Sequence, residues 1–264
     1  SDLETILSEL LDLEMEYGLF DLRVDGVRVW ERIRLKTFRQ ILYKRDIINS
    51  AHDEIKYTPR TYLQALATLV QSGVQSNPLW ADQHELFFFG HSRRKMRGDG
   101  YWWDIYCDPI YDEVDLDYIH MSANNKLKRH SPRKTANYRN LDFVRLSAYA
   151  LQKGWSFDPD IPPAVCQTLQ MFCSELDDRL GVDIDLKRII TENLTQRASR
   201  KPFYDWILRR VDPCVAVIVV SYGNETFIEA CHDRDIPVVE LQHGVINRYH
   251  LGYSYPGKRE KEVF

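Results

Sequence analysis

The sequence predicts an α/β fold, a Rossmann-like parallel sheet flanked by helices and preceded by a helix-and-hairpin extension. Three observations carry this expectation. Cys214–Val220 reads Cys-Val-Ala-Val-Ile-Val-Val, a β-branched run that suits a strand buried on both faces. A helical stretch, Glu225–Asp233, then leads into a second strand at Ile236–Leu241, introduced by Pro237. A strand, a short helix and a strand imply a right-handed βαβ unit and parallel pairing. Glu85–Phe89, closed by Gly90, is a further short apolar run of the same kind.

The remaining elements follow in chain order. Leu3–Tyr17 carries apolar residues at helical spacing. Phe20–Trp30 alternates around Asp25-Gly26, a dipeptide suited to the positive φ angles of a hairpin turn. Glu31–Arg45 is a basic amphipathic helix whose cations either face solvent over a packed apolar face or touch anionic lipid. Tyr62–Val70 reads as a helix and Leu116–Met121 as a strand. Leu141–Lys153 and Pro163–Leu180 are helical, the latter stopping at Gly181. Asp185–Arg210 is helical with an interruption before Pro202. Residues 1–60 thus form the extension and 61–264 the α/β domain.

Composition narrows the class. The 264 residues are 44% apolar and 28% charged, the balance of an ordinary globular protein with a real core. A net charge of −4 argues against a dedicated nucleic-acid binder. No apolar run is long enough to cross a bilayer, and the acidic start Ser1-Asp2-Leu3-Glu4 is unlike a signal peptide. The five cysteines form no C-x-x-C pair and sit mostly in apolar patterns, which points to a reduced, cytoplasmic setting.

Parallel sheets bind ligands beyond the carboxyl ends of their strands. The loops there are Ser221–Asn224 and Gln242–Tyr255, which places a site before any motif is named. His243 follows its strand directly, with Gly244 beside it to let a substrate approach the backbone. Such an imidazole can act as a general base, with Glu240 to orient it. The alternative is a histidine that merely caps the strand on a backbone carbonyl. Tyr222-Gly223-Asn224 precedes a helix, so its amides can hold an anion, or Asn224 can simply be the N-cap. Arg248, His250, Tyr253 and Tyr255 make a polar-aromatic loop suited to sugars, bases and anions. A crossover segment packing on another domain would look the same. His91 and Arg93 follow the Glu85–Phe89 strand, and the cations of Ser92–Gly98 either meet a pyrophosphate or an anionic acceptor or are solvated. Tyr101–Asp104, Asp108-Pro109 and Tyr111-Asp112 add aromatic and acidic groups suited to carbohydrate, although Trp102 and Trp103 cannot both face inward on an extended segment. The basic run Lys126–Lys134 reads as an exposed loop without a catalytic role. No H-E-x-x-H, paired-cysteine or G-x-S-x-G pattern is present, so neither a metal nor another cofactor is expected.

Glu240-Leu241-Gln242-His243-Gly244, followed by His250 and Tyr253-Ser254-Tyr255-Pro256, resembles a group of microbial GT-B-type glycosyltransferase-like proteins of capsule and surface-polysaccharide synthesis. Asp25-Gly26 with Trp30 and Arg34, Phe88-Phe89-Gly90-His91 with Arg93, and Asp108–Asp112 extend the similarity over most of the chain. The histidine-glycine pair is also similar to that of CDP-glycerol glycerophosphotransferases, where it serves as base, although those enzymes usually have tryptophan where this chain has Gln242. The resemblance implies the acceptor-side half of a two-domain enzyme, expected in the cytoplasm, either free or at the inner face of the membrane. Its substrates would be a nucleotide sugar and a glycan acceptor, and its partner a second, donor-binding Rossmann-like domain lying outside this chain. A non-catalytic carbohydrate- or nucleotide-binding module and a sugar-nucleotide epimerase are the rival expectations.

Overall fold

The computed structural model describes residues 2–49, 58–113, 115–124, 130–154 and 157–256. In chain order the elements are α1 (Asp2–Glu16), β1 (Arg23–Val24), β2 (Val27–Arg28), α2 (Val29–Lys44), α3 (Pro59–Gln75), β3 (Leu86–Phe89), β4 (Arg94–Met96), β5 (Trp102–Asp104), α4 (Asp108–Tyr111), β6 (Tyr118–Ser122), β7 (Tyr138–Asn140), α5 (Asp142–Gly154), α6 (Pro163–Leu180), α7 (Leu186–Val211), β8 (Val215–Ile218), α8 (Glu225–His232) and β9 (Val238–Glu240). The chain divides into two compact units. Unit 1 comprises Ser1–Asp53, Ser156–Gln196 and Val245–Phe264, and unit 2 comprises Glu54–Trp155 and Arg197–Gly244. Among the described residues, no helix is long and apolar enough to cross a membrane.

Unit 1 is helical. Its core joins Ile6, Leu10 and Leu13 of α1 and Trp30, Ile33 and Ile41 of α2 to Leu169, Phe172 and Leu176 of α6. The expected hairpin forms as β1 and β2, with Asp25 and Gly26 at φ 50° and 77°, the left-handed pair that a tight hairpin requires. Inside the unit, Arg34 is fully buried against Glu14, donating to both carboxylate oxygens at 2.5 and 2.9 Å. Its third nitrogen, Nη1, donates to the carbonyls of Leu251 and Ser254 at 3.1 and 2.5 Å. Burying a charge is tolerable when it is paired and hydrogen-bonded on all sides, and this guanidinium is. Several cations of α2 are therefore engaged within the unit: Arg34 on Glu14, Arg32 on Asn193 and Lys36 on Glu192.

Unit 2 holds a five-stranded sheet in the order β7-β6-β3-β8-β9, parallel throughout. Numbered by appearance within the sheet, this is 3-2-1-4-5, the Rossmann order, with its switch point between β3 and β8. The final βαβ unit pairs as expected, Ala216 opposite Val238 and Ile218 opposite Glu240. Strand β3 is buried at every position because both faces are covered. Phe87 and Phe89 pack on Phe227 of α8 at 5.1 and 4.4 Å, while Phe88 meets Tyr111 edge-on at 4.7 Å.

Several elements differ from expectation. Helix α7 continues across Pro202 without interruption. Residues 94–104, for which no strand was assigned, form the antiparallel β4–β5 hairpin outside the main sheet. Trp102 lies against His130 and Trp103 beneath Arg97, as alternation along a strand requires. Polar β7 provides an edge strand where none was expected. The helix expected at Tyr62–Val70 forms as α3, which turns Ser72 and Gly73 inward, Gly73 against Phe143, and exposes Tyr62, Leu63, Leu66, Val70 and Val74. Residues 126–129 of the basic run lie outside the described residues.

Candidate functional site

The carboxyl ends of β3, β8 and β9 meet at the switch point, and each delivers polar side chains there. Beyond β8, Tyr222 sits in a turn opened by Gly223, and its hydroxyl lies 3.2 Å from His243 Nε2, just past β9. The His243 ring is half-buried, on the same side as the Tyr222 turn. Glu240 Oε1 accepts the N–H of Ser221 at 3.1 Å, which ties the β8 loop to β9. A Cβ built on Gly244 would meet no atom within 4 Å, so the backbone beside His243 borders open space. Asn224 precedes α8 without capping it through its side chain, which donates instead to the Val220 carbonyl at 2.8 Å. Asn224 is thus the N-cap residue by position, its carbonyl accepting the Phe227 and Ile228 amides, while its side chain closes the preceding turn. The Gly223 N–H is taken by Glu225 at 2.6 Å. An anion bound there would have to compete with that carboxylate.

From β3 come His91 and Arg93. The Arg93 amide donates to His91 Nδ1 at 3.0 Å, so Nδ1 is the acceptor and Nε2 carries the proton in the neutral ring. Burial, with Arg93, His243 and Arg145 as further causes, lowers the His91 pKa below its ordinary value. Tyr106 links the two sides. Its hydroxyl donates to the His243 carbonyl at 3.4 Å and receives the Arg93 guanidinium at 3.5 Å, and its ring stands edge-on to His91 at 6.0 Å. The crevice thus gathers His91, Arg93, Tyr106, Tyr222 and His243. Tyr106 carries no sequence signal of its own, because its partner lies 137 residues away.

Tyr106 is held from behind by a buried polar network. Asp104 Oδ1 accepts the amides of Tyr106 and Cys107 at 3.0 and 3.1 Å. Arg94 donates to His120 Nε2, Ser122 Oγ and Thr135 Oγ1, all at 3.0 Å, and Thr135 donates to Asp108 at 2.6 Å. Tyr111 closes on His120 Nδ1 at 2.5 Å. Asp104, Asp108 and Arg94, expected to meet carbohydrate or anions, are therefore structural, and both carboxylates are buried. Burial raises the pKa of Asp104 and drives that of His120 well below the imidazole range. Gly90 makes room for this network, since a Cβ there would lie 2.1 Å from His120 Cε1. Asp104, Cys107 and His120 bring ligand atoms within 4.8 Å of one another, a mixed oxygen, sulfur and nitrogen set of the zinc type. Both nitrogens of His120 are already engaged, by Arg94 and Tyr111, and burial pushes the Cys107 thiol far up. A metal ion would have to displace that guanidinium or that phenol.

The last expected site residues belong to unit 1. Arg248 pairs with Glu4 at 2.7 Å and with the Tyr249 hydroxyl at 3.0 Å. His250 packs on Tyr253 at 4.8 Å, and Tyr255 on Phe20 at 5.8 Å beneath the Arg34 guanidinium. In that unit Arg248 ties the segment 245–256 to Glu4 of α1, and Tyr255 ties it to Phe20 and to Arg34 of α2.

Comparison with protein-family models, curated proteins and solved structures gave no match.

Proposed function

We propose that this chain carries the acceptor-side, base-bearing half of a glycosyltransferase that uses a nucleotide sugar to extend a surface polysaccharide. The observation that carries the reading is His243 at the switch point, half-buried, beside open backbone at Gly244 and within reach of Tyr222. His243 Nε2 would remove the proton of an acceptor hydroxyl as its oxygen attacks the anomeric carbon. The bond from that carbon to the donor's phosphate oxygen breaks, and the nucleoside diphosphate leaves with the electron pair. Arg93 and the Nε2–H of His91 offer positive charge and a donor to anionic groups in the crevice. The donor itself would be held by a second Rossmann-like domain.

Mutation of His243 tests this on the full-length protein with a panel of nucleotide sugars and acceptor glycan. His243→Ala is expected to lower kcat by about 10²–10⁴-fold, the range for losing a positioned general base, with KM nearly unchanged. Unaltered turnover would remove the base assignment. A second reading, a non-catalytic sugar- or nucleotide-binding module, is favoured by one contact: the Tyr222 hydroxyl already engages His243 Nε2. Tight ligand binding without turnover by the wild-type protein would decide for the module.

A further inference from the structure

A second opening in unit 2 lies at the carboxyl ends of β6 and β7, beside the last turns of α3. It is a cavity of about 340 Å³. Gln71, Gln75 and Ser76 line it from the α3 side, Asn124 from the loop after β6, and Arg133 and Asn140 from the segment leading through β7. Thr68 and Tyr138 complete the wall, so every lining side chain carries a hydrogen-bonding group. An apolar ligand gains little from such a wall, whereas a ring of hydroxyls finds donors and acceptors throughout. The volume falls at the small end of ligand pockets, which fits one sugar ring rather than a chain of them.

The wall is also held in place from behind. Arg133 Nη2 donates to Asn124 Oδ1 at 2.6 Å, and its guanidinium lies 3.8 Å over the Tyr138 ring. Asn124 in turn donates through Nδ2 to the buried Asp142 at 2.7 Å, and the Tyr138 hydroxyl donates to the Ser122 carbonyl at 2.7 Å. Asn140 is committed to the same aspartate: its Oδ1 accepts the Asp142 amide and its side chain also hydrogen-bonds the Asp142 carboxylate. Gln71 donates to Gln75 Oε1 at 3.2 Å, which commits one end of each amide and leaves the other. Among the described lining residues, Arg133 carries the one charge.

We propose that this cavity binds a single anionic sugar unit, a pyranose-sized ring bearing one carboxylate or phosphate. Arg133 meets the anion, and the amides of Gln71 and Gln75 meet ring hydroxyls. The proposal stands on this cavity and does not rest on the transferase reading of the switch crevice.

Calorimetric titration of the full chain with D-glucuronate, glucose 6-phosphate, glucose and inorganic phosphate tests it. One equivalent of glucuronate or of glucose 6-phosphate is expected to bind, and which of the two binds tells carboxylate from phosphate. Glucose should bind at least ~10-fold more weakly, the loss expected for one charge-assisted contact. Gln71→Ala with Gln75→Ala, both on the exposed end of α3, should weaken binding about 10-fold through lost hydrogen bonds while leaving Tm unchanged. Arg133→Ala should erase the preference for the charged sugar. If that variant does not fold, the glutamine pair decides. His243→Ala should bind the anionic sugars as the wild type does, which separates this site from the crevice. Failure of both anionic sugars to bind, unchanged affinity in the glutamine variant, or inorganic phosphate binding as tightly as glucose 6-phosphate would overturn the proposal.

Discussion

A buried guanidinium and a half-buried imidazole set the residue-scale energetics. Arg34 and Glu14 form a pair with no exposed side-chain surface, and Arg34 also holds two carbonyls of the last segment. Replacing Arg34 alone by Met leaves a carboxylate buried without its partner and is expected to cost about 3–5 kcal/mol. Adding Glu14→Leu should restore much of that loss, and urea denaturation of the two variants measures the difference. His91 gives a pH signature. Its folded pKa is lowered, so the unfolded chain binds the proton more readily, and stability falls as pH drops from about 6.5, the unfolded value, towards the folded one. Wild type is therefore expected to lose Tm relative to His91→Gln between pH 7 and pH 5.5. Equal slopes for the two proteins would refute this.

At the scale of elements, legibility depended on how a strand or helix is buried. Strand β8 was readable because Val215–Ile218 sits inside the sheet, where β-branched residues are selected on both faces. Strand β7, Tyr-Arg-Asn, lies at the edge, and its polar side chains serve a cavity wall, so nothing in its composition announces a strand. The β4–β5 hairpin was missed for a related reason: Arg94 looks like a solvated cation until His120, Ser122 and Thr135 surround it. Pro202 illustrates tertiary override, since packing keeps α7 helical past a residue that deprives it of a hydrogen bond. Pro202→Ala is expected to stabilise the protein by about 1–3 kcal/mol, because alanine restores the donor and removes the ring clash. A fall in Tm would mean that the helix depends on the ring. At the site, His243, Tyr222, His91 and Arg93 were legible because strand ends can be counted, whereas Tyr106 and Arg133 gain their places only through folding.

Across the whole molecule, the sheet's hydrogen bonding grades its expected mobility. Strand β3 has parallel neighbours on both sides and four buried residues, while β9 is an edge strand with Val239 and Glu240 exposed. Amide hydrogen exchange is expected to be slowest at Leu86–Phe89 and markedly faster at Val238–Glu240, because edge amides open without disturbing the core. Comparable protection at both would contradict the strand order. The long sequence separation of β3 and β8, together with parallel pairing, also marks the sheet as a slow element to assemble.

The division into units has a consequence for biosynthesis. Unit 1 is threaded from three stretches, and the carbonyls of Leu251 and Ser254 that complete the Arg34 cage emerge from the ribosome more than two hundred residues after Arg34 itself. Until then the Arg34 guanidinium lacks those two acceptors. The nascent helical pair must wait, incompletely fastened, while the intervening sheet is made.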